Sequence, residues 1–230
     1  MLIGLISDVH SNAVALSSIL RDFDGLQVKT ILHAGDIIGY NPYPNETIKI
    51  FQERNIYSVL GNHDRALITR NTQNFNPLAL KALKWTSSVV SGSERQYLQG
   101  LNNIAIYSVD GMKIGVVHGS PRDFNEYIYP KDLVASKTMP PFMSAMNYNL
   151  LVLGHTHIQF QVEYQEGIVV NPGSVGQPRD GNPGAAFALL NTETRKVTLH
   201  RADYDHEKVI GDILKVKLPA QLAERLRHGR

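Results

Sequence analysis

The fold of this chain is set by residues 2–10, which read LIGLISDVH. Leu2–Ser7 is a short apolar run typical of a buried strand, and the polar side chains of Asp8 and His10 follow it directly. Polar side chains at the end of a core strand cost free energy unless something binds them. This stretch therefore predicts a buried strand that ends at a binding site.

Four more apolar runs end in polar clusters of the same kind. The runs are Thr30–His33, Asn55–Leu60, Lys113–Val117 and Leu150–Leu153. The clusters after them are Gly35-Asp36, Gly61-Asn62-His63-Asp64, His118-Gly119-Ser120 and Gly154-His155-Thr156-His157. Because imidazole, carboxylate and amide groups are metal ligands, and because so many of them follow strands, the sequence predicts more than one bound metal ion.

Strands and helices alternate in the first half of the chain, where helices are predicted after Asn12 and over Tyr43–Arg54. Such alternation indicates parallel strands whose carboxyl ends carry the functional groups. The second half is rich in short strands, predicted over Ile158–Tyr164, Ile168–Val170, Ala185–Leu190 and Val197–His200. We therefore expect an α/β fold, a four-layer αββα sandwich of two packed mixed β-sheets flanked by helices, with residues 1–230 as one domain.

The composition excludes several classes of protein. The absence of cysteine rules out disulfides, thiolate zinc sites, iron–sulfur clusters and cysteine nucleophiles. A formal net charge of +2, with scattered Lys and Arg, gives no strong nucleic-acid signature. Met1–Ser7 has no basic segment before its apolar run, and no stretch approaches the ~20 apolar residues that span a bilayer. We expect a cytoplasmic protein with no membrane partner.

Each cluster alone has an ordinary explanation as a turn, a helix cap or a buried histidine. Taken in order, however, D-x-H, G-D, G-N-H-D, H and G-H-x-H resemble the calcineurin-like metallophosphoesterase superfamily. In its compactness the chain is similar to the small bacterial and archaeal phosphodiesterase branch. The resemblance runs from Asp8 to His157, and Asn171-Pro172-Gly173-Ser174 also resembles a loop of that branch.

The resemblance implies two divalent metal ions that share one aspartate. The first ion would be bound by Asp8, His10, Asp36 and His157. The second would be bound by Asp36, Asn62, His118 and His155. The two oxygens of the Asp36 carboxylate can span ions about 3.5–4 Å apart. Histidine-rich ligands suit Mn, Fe, Co, Ni or Zn better than Mg or Ca, and the ligand types do not choose among the first five.

The remaining histidine of the clusters, His63, is implied by the resemblance to be the general acid that protonates the leaving group. The protein-phosphatase branch carries an aspartate three residues after its Gly-Asp motif to orient this histidine, and this chain has Gly39 there. Asp64 is an alternative partner, although neighbouring residues on an extended chain face apart.

Substrate contacts are predicted in two loops. Arg122 precedes the aromatic residues Phe124 and Tyr127, and an arginine beside aromatic rings suits a nucleotide. The alternative is that these aromatic residues only anchor the loop in the core. Arg179, after the Asn171–Gly176 loop, is a second candidate for binding phosphate.

The leading hypothesis is a metal-dependent phosphoesterase that hydrolyses a small phosphodiester or nucleotide by attack of a metal-bridging hydroxide. Alternatives are a dinucleoside polyphosphate hydrolase and a protein phosphatase, the latter disfavoured by Gly39. A different class is a non-catalytic metal-binding scaffold. Scaffold relatives of this fold have lost ligands, whereas all seven ligand positions are filled here.

Overall fold

Strands and helices follow one another largely in the predicted order. The computed structural model describes residues 1–73, 75–134 and 140–230, the side chains of 142 and 143 excepted. The strands are β1 (Leu2–Ile6), β2 (Thr30–His33), β3 (Tyr57–Ser58), β4 (Ile104–Val109), β5 (Met112–Val117), β6 (Leu150–Val152), β7 (Gln159–Glu163), β8 (Ile168–Pro172), β9 (Ala185–Asn191) and β10 (Lys196–Ala202). The helices are α1 (Ala13–Gly25), α2 (Pro44–Glu53), α3 (Asn62–Thr69), α4 (Pro77–Val89), α5 (Gly92–Gln99), α6 (Pro130–Val134), α7 (Pro141–Ser144), α8 (His206–Lys215) and α9 (Ala220–His228).

The strands form two sheets of five in the described part of the chain, in the orders β10-β9-β1-β2-β3 and β4-β5-β6-β8-β7. In the first sheet, β1, β2 and β3 are parallel, and β9 pairs antiparallel with both β1 and β10. In the second, β5, β6 and β8 are parallel, and antiparallel β4 and β7 lie at the two edges. Both sheets are therefore mixed, as predicted.

The two sheets pack face to face through an apolar layer to which both contribute. This layer includes Ile3, Leu5 and Leu32 of the first sheet and Ile114, Leu150, Val152 and Val170 of the second. On the outer face of the first sheet, Phe23 of α1 and Phe51 of α2 are fully buried. On the outer face of the second, Leu133 of α6 packs with Leu151 and Val169. These layers form the predicted αββα sandwich.

Side-chain caps begin several helices where the sequence changes from loop to apolar periodicity. The Asn12 side chain accepts the N–H of Ala15 at 3.0 Å and starts α1 directly after the first polar cluster. The Asn76 side chain accepts two N–H groups at the start of α4, where Pro77 occupies the first turn. No helix in the described ranges is long and apolar enough to cross a membrane.

The parallel strands bring all five polar clusters to one end of the sandwich. The N–H of Asp8 donates to the carbonyl oxygen of Gly35 at 3.0 Å, which joins the ends of β1 and β2. The N–H of Gly154 donates to the carbonyl oxygen of His118 at 2.8 Å, which joins the ends of β5 and β6. The loop after β8 crosses to the first sheet, because the N–H of Val175 donates to the carbonyl oxygen of Ser7 at 3.0 Å. The carboxyl ends of both sheets thus meet.

One buried histidine of the core, His33, provides a test of this packing through pH. Burial lowers its pKa to about 3, whereas an unfolded histidine has a pKa of about 6.5. As the pH falls below 6.5, His33 becomes protonated in the unfolded chain but stays neutral in the folded chain. The free energy of unfolding therefore decreases. We expect the stability advantage of the wild type over His33→Gln to shrink by about 1.4 kcal/mol between pH 7.5 and 5.5. Urea denaturation of the metal-free proteins measures this, and a pH-independent difference would contradict a neutral, buried His33.

Candidate metal centre

The backbone turns sharply at the strand ends that carry the predicted ligands. Asp8, His10, Asp36, His155 and His157 all adopt left-handed conformations, with φ between 47° and 69°. Non-glycine residues rarely do so, although Asp and His are among the more tolerant. The chain at Asp8–His10 and at His155–His157 is therefore turned and not extended. The turns direct alternate side chains into the same small volume.

Four acceptor atoms form the first group in that volume. Nε2 of His10 lies 3.0 Å from Nε2 of His157. Oδ1 of Asp8 lies 3.3 Å from Nε2 of His157, and Oδ2 of Asp36 lies 3.6 Å from Nε2 of His10. All four side chains are at most 2% exposed. They are the four residues predicted to bind the first ion.

A second group of four acceptor atoms adjoins the first. Nε2 of His118 lies 2.9 Å from Oδ1 of Asn62 and 3.1 Å from Nδ1 of His155. The same Nε2 lies 3.5 Å from Oδ2 of Asp36. Oδ2 of Asp36 therefore belongs to both groups. The structure thus brings together all seven residues predicted as metal ligands.

Backbone carbonyl groups fix which ring nitrogen carries the proton in three of these histidines. Nδ1 of His10, His118 and His157 lies next to the carbonyl oxygens of Ile38, Ala34 and Gln177, at 3.1, 2.8 and 2.6 Å. Because a carbonyl oxygen can only accept a hydrogen bond, each Nδ1 is the donor and each neutral ring presents the lone pair of Nε2 to the site. The 3.0 Å contact of His10 and His157 therefore joins two lone pairs. A cation between them removes that repulsion.

The carboxylates of Asp8 and Asp36 are oriented in the same manner: one oxygen of each accepts hydrogen bonds, and the other faces the ligand groups. Oδ2 of Asp8 accepts the Ser7 hydroxyl at 2.6 Å and the N–H of His155 at 3.1 Å, while Oδ1 has no donor among the described residues. Oδ1 of Asp36 accepts the N–H of His63 at 2.8 Å. Only Oδ2 of Asp36 is left to face both groups. The expectation that its two oxygens would span the two ions does not match this arrangement.

Burial sets the charge of these groups. It lowers the pKa of His10 and of His155 well below the usual value, so both rings are neutral and able to bind metal. Burial and then the neighbouring carboxylates of Asp64 and Asp8 raise the pKa of Asp36. Two carboxyl groups packed this closely favour a positive charge between them.

His63 lies at the start of α3 against the rings of Tyr40 and Phe75, at centroid distances of 4.6 and 4.7 Å. Its Nδ1 is buried and has no hydrogen-bond partner among the described residues. Burial lowers the pKa of His63 well below its usual value. A Cβ atom on Gly39, whose φ is +128°, would lie only 2.7 Å from Nδ1 of both His63 and His10. The rings of His63 and His10 therefore leave no room for an aspartate in the place of Gly39.

Asp64 is not the partner of His63. Its carboxylate accepts four backbone N–H groups, those of Asp36, Ile37, Ile38 and Gly61, at 3.0–3.2 Å. Asp64 sits in the first turn of α3, so the chain here is helical and not extended as expected. Gly61 precedes the helix, where a Cβ atom would lie 2.1 Å from Oδ1 of Asp36. Asp64 thus ties the loop that carries Asp36 to the start of α3.

The two predicted arginines differ in position. Arg179 borders the centre: its guanidinium donates to the Tyr40 hydroxyl at 3.3 Å, and its Nε is buried with no hydrogen-bond partner in the described part of the chain. Arg122 is 58% exposed and ion-pairs with Glu126. The structure therefore brings Arg179, but not Arg122, to the predicted metal ligands.

Two connected cavities open beside the ligands. The inner cavity, of about 40 Å³, is lined by Asp36, Tyr40, Asn62, His63, Phe75, Asn76, Ala79, Tyr127, His155, His157 and Arg179. The side cavity, of about 430 Å³, is lined by Asn62, Arg65, Ala66, Thr69, Asn71, Gln73, Phe75, Phe124, Asn125, Tyr127 and His155. Tyr40, Arg65 and Phe75 were not predicted. The signal for Arg65 was the Gly61-x-x-Asp64 spacing, which is typical of a helix start and places residue 65 one turn after Asn62.

Comparison with known proteins shows the family of this chain. The family model of the calcineurin-like phosphoesterase superfamily domain matches residues 1–195. The uncharacterized protein MJ0912 of Methanocaldococcus jannaschii is 34% identical, over 100% of this chain and 98% of that protein. Phosphodiesterase MJ0936 of the same organism is 23% identical, over 85% of this chain and 96% of that protein. The crystal structure of a metallophosphoesterase from Sphaerobacter thermophilus is 35% identical, has a TM-score of 0.84, and covers 100% of this chain and 99% of its own.

Removal of the Asp64 carboxylate tests its role as a backbone anchor. Asp64→Ala leaves four N–H groups without their acceptor, and a buried unsatisfied group costs about 1–3 kcal/mol. We expect the free energy of unfolding of the metal-free protein to fall by about 3 kcal/mol or more, and by less in Asp64→Asn, which keeps one acceptor oxygen. The control is Asp205→Ala, which removes the side-chain cap of α8 and costs about 1 kcal/mol. A loss in Asp64→Ala no larger than in this control would contradict the anchor role.

Proposed function

Since the chain belongs to the calcineurin-like phosphoesterase superfamily, we propose that it hydrolyses a small phosphodiester or nucleotide with two divalent metal ions bound at the paired ligand groups. One observation carries the proposal. Six buried side chains and the half-buried Asn62 direct ring nitrogens and oxygens at one another, and Nε2 of His10 and Nε2 of His157 lie only 3.0 Å apart. Such an arrangement is favourable only around positive charge.

The spacing of the acceptor atoms supports metal binding. A tetrahedral ion with ligands at ~2.0–2.1 Å separates those ligands by about 3.4 Å. Nε2 of His10 lies 3.0–3.8 Å from the facing atoms of Asp8, Asp36 and His157, and Nε2 of His157 lies 3.3 Å from Oδ1 of Asp8. We assign these four residues to the first ion. We assign Asp36, Asn62, His118 and His155 to the second, with Oδ2 of Asp36 shared. Nitrogen and oxygen ligands of this kind suit Mn, Fe, Co, Ni or Zn.

When bound, two ions at this centre would hold phosphate oxygens and lower the pKa of water enough to supply the hydroxide that attacks phosphorus. Side chains of the protein would balance the charge of the ions and bind the phosphate. The positive charge of two divalent ions exceeds the negative charge of the Asp8 and Asp36 carboxylates, so the centre attracts an anionic phosphate. Arg179, whose buried Nε has no partner among the described residues, would bind a phosphate oxygen beside the ions.

We assign proton donation to His63, which borders the inner cavity with Arg179 and Asp36. Its ring would protonate the oxygen of the leaving group as the phosphoester bond breaks. Burial lowers the pKa of His63, so this role requires the negative charge of the bound phosphate to raise that pKa again. Arg122 has no part in the proposal, because it ion-pairs with Glu126 at the surface.

Asp36→Asn tests the shared ligand. The amide removes a negative charge from both ions, so we expect metal affinity to fall by more than the ~10–100-fold caused by loss of an outer-sphere partner, and hydrolysis of bis(p-nitrophenyl) phosphate to be lost. Metal content measured by equilibrium dialysis gives a readout apart from activity. The metal-free variant should unfold at or above the wild-type temperature, because burial and neighbouring carboxylates disfavour the Asp36 charge. Full metal content with wild-type turnover would refute the assignment of Asp36.

His63→Ala tests the proton donor. We expect metal content to be retained, and kcat to fall by about 10²–10⁴-fold for methyl phenyl phosphate, whose leaving group needs a proton. The loss should be much smaller for methyl p-nitrophenyl phosphate, whose leaving group is a stable anion. His228→Ala, at an exposed site on α9, is the matched control and should change neither rate. Equal losses on the two esters would argue against proton donation by His63.

A further inference from the structure

The side cavity begins at the second ligand group, because Asn62 and His155 line it. It shares Asn62, Phe75, Tyr127 and His155 with the inner cavity. Its volume of about 430 Å³ falls within the range of about 300–1,000 Å³ usual for small-molecule sites. A group joined to a phosphate at the metal centre can therefore enter it directly.

One face of α3 forms a wall of this cavity. Asn62, Arg65, Ala66 and Thr69 line it, and the spacing of three, four and seven residues places them on the same side of the helix. Asn62 is a proposed metal ligand and Thr69 lies about 10 Å further along the axis. The cavity therefore extends from the phosphate position outward over the length of about one nucleoside.

Aromatic rings and amides form the other walls. Phe75 and Phe124 line the cavity, and Tyr127 packs on His155 with ring centroids 3.9 Å apart. The amide side chains of Asn71, Gln73 and Asn125 lie among them. Aromatic faces stack on any base, and amides offer both hydrogen-bond donors and acceptors to its edge. An alkyl group would use neither property.

Arg65 adds a cation of suitable geometry. Its guanidinium lies over the Phe124 ring, 4.2 Å from the ring centroid. A guanidinium in this position presents a flat, positive surface to a second ring. Arg65 forms no salt bridge with the residues that the structure describes, so no carboxylate there holds it in a purely structural role.

We propose that the side cavity binds the nucleobase of the substrate ester while the phosphate occupies the metal centre. This inference rests on the proposed phosphoesterase function and narrows its substrate class to esters of nucleosides. Phe75, Phe124 and Tyr127 supply the stacking faces, and Arg65 with the amides contacts the base edge. A small alkyl or sugar phosphate would leave the cavity unused and bind less tightly.

Binding of three phosphonates to the Mn²⁺-reconstituted protein tests the proposal by isothermal titration calorimetry. The ligands are the methylene phosphonate analogues of adenosine 5′-monophosphate and ribose 5-phosphate, and benzylphosphonate, in which a P–C bond prevents hydrolysis. We expect the adenosine analogue to bind at least about tenfold more tightly than the other two, since stacking of one base contributes this much or more. If the adenosine analogue bound no more tightly than the ribose analogue, or no more tightly than benzylphosphonate, the nucleobase assignment would be overturned.

Variants of the cavity locate the binding. Phe124→Leu keeps apolar volume but removes the ring, and Arg65→Gln removes the cation. Each variant should bind the adenosine analogue about five-fold or more weakly than the wild type does, and should bind the ribose analogue with unchanged affinity. The unchanged affinity for the ribose analogue also shows that the variant is folded. Tyr57→Leu, at a ring 56% exposed on β3, is the control and should change neither affinity. Equal weakening of both ligands, or no weakening, would refute the assigned residues.

The two proposals fail in different ways. If the protein hydrolyses diesters but binds the three phosphonates equally, the phosphoesterase function stands and the nucleobase site is refuted. If it prefers the adenosine analogue but hydrolyses no phosphoester with any of the five metals, the nucleobase site stands and the phosphoesterase function is refuted. Hydrolysis of thymidine and methyl esters of p-nitrophenyl phosphate, measured beside the titrations, separates these outcomes.

Discussion

Repulsion between lone pairs is the constraint on which the rest of this site depends. Nε2 of His10 and Nε2 of His157 are 3.0 Å apart, and the backbone carbonyl beside each Nδ1 prevents either ring from turning a proton toward the other. Oδ1 of Asp8 approaches the same point without a donor among the described residues. A fold that buries such atoms together gives up free energy unless a cation joins them. A metal ion bound here would therefore stabilise the folded protein, because it would offset this repulsion.

The backbone conformation of the predicted ligands also costs free energy. Five predicted ligands hold left-handed φ values, each of which costs on the order of 1–3 kcal/mol and persists only where the surroundings enforce it. Here the enforcement is hydrogen bonding between strand ends, such as the N–H of His10 to the carbonyl oxygen of Asp36 at 3.0 Å. Asp64 contributes four more bonds from one carboxylate. The ligands are thus positioned by the ends of both sheets together, and neither sheet alone would suffice.

The features of the fold that follow from the order of short apolar runs could be predicted from the sequence. Most strands, the mixed sheets and the meeting of the polar clusters could be predicted, because burial and strand direction place them, whereas the set of seven ligands was implied by the resemblance to the superfamily. The left-handed conformation of residues such as Asp8 and His155 could not be predicted, since such a turn leaves no mark in the pattern of polar and apolar residues. The strand β4 was also missed, although Ile104 and Ile106 alternate with Ala105 and Tyr107. Its exposed side carries isoleucine, which hides the alternation that a half-buried strand usually shows.

Helix α3 shows why the substrate side was harder to predict than the metal side. Its first residue, Asn62, belongs to the ligand clusters, whereas Arg65, one turn later, meets Phe124 from a distant loop. Nothing near Phe124 in the sequence indicates that contact, and the same loop led to Arg122 as the predicted phosphate contact. Arg122 instead ion-pairs with Glu126, four residues further along the same loop. The proposed metal ligands follow strand ends, which leave a pattern in the sequence, while the proposed substrate contacts lie where loops from separate parts of the chain meet. Helix α3 contributes to both regions, because it starts at the candidate metal centre and continues along the side cavity.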